Sequence, residues 1–137
     1  MTKNQYSHND DISDVTGVRS TDKLLFVGSD PMSFMKKYVD SVESVESQYD
    51  LDSEFVRHRR FDKVFARIDT YDVHSLKDLF TLTTHYGTTV LFIEDDQERE
   101  RVKEQIETLW YPAHTWDLVS NVGKCLITNA TGAPSNG

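Results

Sequence analysis

The chain has 137 residues, 37% of them hydrophobic, with a net charge of −8 and a pI near 5.0. That is enough chain for one domain with a real core and too little for two. An acidic surface repels nucleic-acid phosphates and anionic membranes, no apolar stretch approaches the length of a membrane span, and the single cysteine, Cys125, excludes an internal disulfide framework. The N-terminus also lacks the charged-then-apolar pattern of a signal peptide, so a cytoplasmic chain is expected.

Residues Met1–Asp22 are polar and aperiodic and predict a flexible arm. The folded domain is expected over Lys23–Ala130, and Thr131–Gly137 (TGAPSNG) reads as a flexible tail. Lys23–Val27 (KLLFV) predicts a strand that ends in Gly28-Ser29-Asp30-Pro31. Pro31 suits the first position of a helix, with Asp30 or Ser29 as its cap. Phe34, Tyr38, Val42, Val45 and Tyr49 follow at spacings of three and four, which predicts one helix across that stretch. Leu51–Arg60 (LDSEFVRHRR) is ambiguous, with Glu54–His58 as one candidate for a short strand. Lys63–Ile68 is an apolar run stopped by Asp69-Thr70-Tyr71-Asp72, and Leu76, Leu79, Phe80 and Thr83 recur at helical spacing up to Gly87. Thr88–Ile93 (TTVLFI) is a β-branched run suited to a buried central strand. Asp95 or Asp96 caps a third helix, with Val102, Ile106 and Leu109 inward and Glu98, Arg99, Glu100, Arg101, Lys103 and Glu104 outward; Pro112 stops it. Thr115–Val119 and Lys124–Thr128 flank a hairpin turn, Ser120-Asn121-Val122-Gly123. The alternation predicts an α/β fold: an open, mostly parallel twisted sheet with helices on both faces and a C-terminal antiparallel hairpin.

Parallel strands joined by crossover helices carry ligands at their carboxyl ends. Asp69, Asp72, Glu94 and Asp95 are therefore the expected edge of any site. Asp69, Asp72 and His74 offer acid–base groups, yet Asp72 and Asp95 read more simply as helix caps, and no metal is expected. Gly28-Ser29-Asp30 offers backbone N–H groups to an anion, although Asp30 opposes one. Arg57-His58-Arg59-Arg60 is the basic cluster of an acidic chain. It is the candidate contact for an anion or a partner, and it is equally able to pair with the chain's own carboxylates. Trp110 and Tyr111 read as core or edge packing and Cys125 as a small buried apolar residue.

The segment from Phe61 to Thr128 resembles the second half of a Rossmann-like, AdoMet-dependent methyltransferase. Phe61-Asp62-Lys63-Val64 opens a strand as in that family, Asp69 occupies its acidic turn, Tyr86-Gly87-Thr88 stands for its glycine turn, and Trp116–Ser120 with Cys125–Asn129 is similar to its closing hairpin, whose last strand inserts antiparallel. Lys23–Asp30 (KLLFVGSD) would be the first strand and cofactor loop. The resemblance implies S-adenosylmethionine as a possible cofactor and Gly28, Ser29, Asp30, Asp69 and Thr70 as the residues that would touch it. The family's loop carries two or three spaced glycines where this chain has Gly28 alone. It also places an acidic residue after its second strand, for the ribose hydroxyls, and Asp50, Asp52 and Glu54 follow no recognisable strand. S-adenosylmethionine is therefore expected to bind weakly or not at all, and the expected function is a methyltransferase-like domain acting as a non-catalytic interaction or structural module with a protein partner. A small working methyltransferase is the alternative, and a receiver-like signalling domain with Asp69 as phosphoacceptor is a weaker one. Nucleic acid and membrane are not expected partners.

Overall fold

The computed structural model describes residues 16–28 and 41–135. In chain order these form β1 (Lys23–Gly28), β2 (Ser41–Val45), a 3-10 turn (Gln48–Asp50), α1 (Ser53–His58), β3 (Phe61–Arg67), α2 (Val73–Leu82), β4 (Thr83–Phe92), α3 (Asp96–Leu109), β5 (Thr115–Ser120) and β6 (Gly123–Thr128). The strands make one open sheet in the order β2-β1-β3-β4-β6-β5. β1 pairs in parallel with β2 and β3, and β3 with β4; β6 is antiparallel to both β4 and β5. The expected α/β sheet with a closing hairpin is present. No helix among the described residues is long and apolar enough to cross a membrane.

Side-chain alternation gives the sheet two apolar faces. On the first, Leu25, Val27, Val64, Ala66, Leu91 and Leu126 pack under Leu76, Leu79 and Phe80 of α2 and Val102 and Ile106 of α3, and α1 adds Phe55 and Val56. Phe80 and Trp110 meet edge to face at 4.9 Å. On the second face lie Leu24, Phe26, Phe65, Val90, Phe92, Cys125 and Ile127, with Phe26 stacked 6.3 Å from Phe65 and 6.2 Å from Phe92. The three described helices all lie on the first face. The expected helix-starting turn at Ser29–Pro31, and the helix positions through residue 40, lie outside the described residues.

Three local expectations are corrected. Val42 and Val45 do not continue a helix: Ser41–Val45 is an edge strand, register-paired Val42 to Leu24 and Val45 to Val27. Their spacing of three mimics helical periodicity because an edge strand is only half-buried and need not alternate. Glu54–His58 is not a strand but lies in α1, which starts because the Asp52 carboxylate accepts the Phe55 N–H at 2.9 Å. Gly87 does not end a helix. The chain passes directly from Leu82 into β4, and Gly87 lies inside that strand. The register between β3 and β4 jumps from Phe61–Thr83 to Lys63–Thr88, so residues 84–87 loop out and carry Tyr86 to 93% exposure. Thr83 and Thr89 clasp the loop's base, their hydroxyls 2.9 Å apart. A Cβ on Gly87 would fall 2.6 Å from Thr83 Cγ2 and 2.7 Å from the Asp62 carbonyl, so close packing, not a turn, requires glycine here.

Packing extends past both expected limits of the domain. Asp22 is buried and accepts hydrogen bonds from the Arg19 amide at 3.0 Å and from Lys63 Nζ at 3.2 Å. At the other end Gly132 N–H donates to the Phe80 carbonyl, Trp110 Nε1 donates to Gly132 O, and Ser135 N–H donates to Leu109 O.

Candidate functional site

The carboxyl ends of β2, β1 and β3 enclose a pocket of about 390 Å³ lined by Gly28, Glu46, Ser47, Tyr49, Arg67, Ile68 and Asp69. Each wall follows from its strand. Gly28 ends β1 at φ +105, and a Cβ there would overlap the Arg67 carbonyl at 1.9 Å. Only glycine lets β1 and β3 approach this closely at the pocket floor. Glu46 is the first residue beyond β2, so the parallel pairing of β2 with β1 delivers its side chain to the pocket. The turn after it is held by the Ser47 amide donating to Asp50 Oδ2 at 3.1 Å and the Tyr49 amide donating to Ser47 Oγ at 3.0 Å. That turn presents the Tyr49 ring at the rim, 84% exposed.

The third wall is braced by Tyr71. Its buried hydroxyl accepts the Ile68 N–H at 3.2 Å and sits 2.9 Å and 3.0 Å from the carbonyls of Ala66 and Phe92. It ties the ends of β3 and β4 together and fixes the Ile68-Asp69 turn. Burial drives the phenol well above its ordinary pKa, against weaker opposing effects of the Ile68 amide and the Arg67 charge. Arg67 turns its charge away: Nη2 donates to the Val122 carbonyl at 3.2 Å, and the guanidinium lies 5.3 Å from the centre of the Phe92 ring. The described lining therefore presents two carboxylates, Glu46 and Asp69, the Ser47 hydroxyl and the open phenol ring of Tyr49. Its single cation is engaged elsewhere.

Of the residues singled out by sequence, Gly28 and Asp69 meet in this pocket. Thr70 is exposed beside it and is not part of the lining, and Ser29 and Asp30 lie outside the described residues. Glu46 and Ser47 carry no expectation from sequence, and Tyr49, expected on the apolar face of a helix, lies instead in the exposed 3-10 turn. The signal for them was the strand Ser41–Val45, whose helix-like spacing concealed it. The remaining carboxylates of the expected site edge serve the fold. Asp72 accepts Ser75 N–H at 2.8 Å, and that hydrogen bond outweighs the effect of burial and holds its carboxyl below the usual range. Asp95 accepts Glu98 N–H at 2.7 Å and Glu94 accepts Lys124 N–H at 3.0 Å. Among the described residues no three His, Cys, Asp or Glu side chains gather as metal ligands.

The basic cluster disperses. Arg59 pairs with Glu43 and lies over the Phe55 ring, Arg60 Nη1 donates to the Val56 carbonyl at 2.8 Å, and His58 lies 3.5 Å from Glu54. Arg57 alone of the four lines a separate cleft of about 480 Å³ between α1 and α2, together with Asp52, His74, Lys77 and Asp78, the last 3.7 Å from His74 Nε2. Cys125 is buried between β4 and β5, and burial pushes its thiol up to about 12, so it is not a nucleophile at neutral pH.

No protein-family model matches the chain, and no curated protein matches it in sequence.

Proposed function

We propose that this chain is a shortened methyltransferase-like domain whose pocket binds S-adenosylmethionine or a close analogue. The observation that carries the reading is the position of Glu46: an acidic residue immediately beyond the second strand, on the same pocket as Gly28 and Asp69. That is where the resembled family holds the ribose hydroxyls. The strand order supports it too, because the last strand enters antiparallel between β4 and β5. The same insertion counts against a receiver-like domain, whose flavodoxin-type order is 2-1-3-4-5.

The chemistry of the lining fits the ligand. Glu46 is suited to accept hydrogen bonds from a ribose diol, and the exposed Tyr49 ring offers a face to a purine. Glu46 and Asp69 together make the pocket negative, which favours a sulfonium cation. With Arg67 committed to Val122 and Phe92, no cation among the described lining residues is left to receive a phosphate. The pocket volume lies in the range of small-molecule sites. S-adenosylmethionine, when bound, supplies an electrophilic methyl group. The lining side chains named above all serve recognition, so the reading is of a binding domain, with its interaction role on surfaces outside the pocket.

Calorimetry with S-adenosylmethionine and with ATP tests the reading. Saturation by the former in the range of about 1–100 μM, with no saturable heat from ATP, is the expected result. Equal binding of both, or no saturable heat from S-adenosylmethionine up to about 1 mM, contradicts it.

A further inference from the structure

We infer that β5 is a homodimerisation edge, along which two copies of this chain join their sheets antiparallel about Leu118. β5 ends the sheet, and among the described residues only β6 pairs with it. Its backbone groups alternate between β6 and the outer side of the sheet, and the neighbouring bonds fix which do which. Ser120 and Gly123 close a two-residue turn, so Ser120 faces β6. The His114 carbonyl faces inward to Asn129 N–H, while the Lys124 carbonyl, opposite Val119, turns away to Ile93 N–H of the β4 side. Trp116, Leu118 and Ser120 thus spend their N–H and C=O groups on β6. Those of Thr115, Asp117 and Val119 point out, and the Thr115 amide is taken by Glu107 at 3.3 Å. Among the described residues nothing else pairs with the backbone of Asp117 and Val119, which are left to offer a ladder.

A second copy of the strand fits that ladder in one register. Antiparallel partners must share the same parity, so the two-fold axis passes through a residue. An axis at Asp117 sets two carboxylates opposite each other, which is unfavourable. An axis at Leu118 sets Asp117 against Val119, each exchanging both N–H···O bonds, and places Leu118 against Leu118 in the closer, non-hydrogen-bonded pair. Trp116 then lies diagonally across from the partner's Leu118 position, within aromatic reach. The side chains agree with this. Trp116 is 45% and Val119 39% exposed, and Leu118 continues the apolar second face toward the edge. The Asp117 carboxylate is itself held by Arg99 Nε at 2.9 Å, and the opposite edge, β2, is shorter by one residue.

Sedimentation equilibrium of the full chain tests the inference. The mass should rise from 15.8 kDa toward twice that value as concentration increases. It should do so more readily in about 0.5 M than about 0.05 M NaCl, because each copy carries −8. Val119→Pro removes an outward N–H without touching the β6 ladder and should leave a monomer with unchanged circular dichroism. Trp116→Glu should weaken association at least tenfold and decides the matter if the proline variant unfolds. A monomer at every concentration, or a dimer indifferent to both substitutions, overturns the proposal.

Discussion

Replacing Asp22 by alanine should cost this domain about 3–5 kcal/mol, because it breaks a buried ion pair from one side. The Asp22 side chain is 1% and the Lys63 side chain 10% exposed, with Lys63 Nζ 3.2 Å from Asp22 Oδ2. The carboxylate also accepts the Arg19 amide and pairs with the Arg19 guanidinium. Removing it strands Lys63 on the second face of the sheet, beside Phe65, without its counter-ion. For a domain of this size the loss corresponds to a fall in Tm of roughly 10–20 °C. Urea denaturation should show a lower midpoint at an unchanged m-value. Asp22→Ala with Lys63→Met should recover much of the loss, since it is the orphaned ammonium that costs. The pH dependence follows in sign. Burial pulls the Asp22 carboxyl upward, but the Arg19 amide, the Lys63 hydrogen bond and both positive charges outweigh it and leave it below its ordinary value. A depressed carboxyl contributes stability that is fully present above its unfolded pKa, about 3.9, and is lost as pH falls through the lower folded value. The gap in stability between wild type and Asp22→Ala should therefore narrow as pH falls below about 4. A cost below about 1 kcal/mol at pH 7, or a gap that does not narrow in acid, would refute the reasoning.

Leu91 is fully buried in β4, between β3 and β6. Leu91→Ala should cost about 2–5 kcal/mol by urea denaturation; under about 1 kcal/mol would mean that the strand is not central. Tyr71→Phe leaves the Ile68 N–H and two carbonyls without their shared hydroxyl and should cost about 1–3 kcal/mol, measured the same way. The Cys125 thiol, raised to about 12 and buried, should resist a disulfide reagent at pH 8 in the native state and react within minutes in about 6 M guanidinium.

The central strands were legible because burial on both faces writes an unbroken apolar run, as in KLLFV and TTVLFI. Helix starts were legible because Asp72 and Asp95 signal them by a local hydrogen bond that sequence spacing carries. The closing hairpin announced itself through Asn121-Val122 and the closing Gly123. β2 was hidden because Val42 and Val45 stand three apart on a strand paired along one edge, a spacing that fits a helix equally well. Missing β2 also hid Glu46, since a carboxylate has meaning at this site only as the residue beyond a strand. Gly87 misled for a different reason. Its role is steric, set by Thr83 and the Asp62 carbonyl across a register jump, and neither contact is local in pattern. The basic run Arg57–Arg60 looked like one patch, but a single helical turn followed by an extended chain sends its four side chains in different directions.

The most direct test of the proposed site is a titration of wild type and Glu46→Gln with S-adenosylmethionine, followed by calorimetry, with Tm recorded for both. Glu46 is exposed beyond an edge strand, so the substitution should leave Tm within about 2 °C, as expected of a surface change. Losing a charged acceptor to the ribose should weaken binding about 10- to 100-fold. Unchanged affinity in Glu46→Gln, with wild type bound, would place the ligand elsewhere and contradict the account.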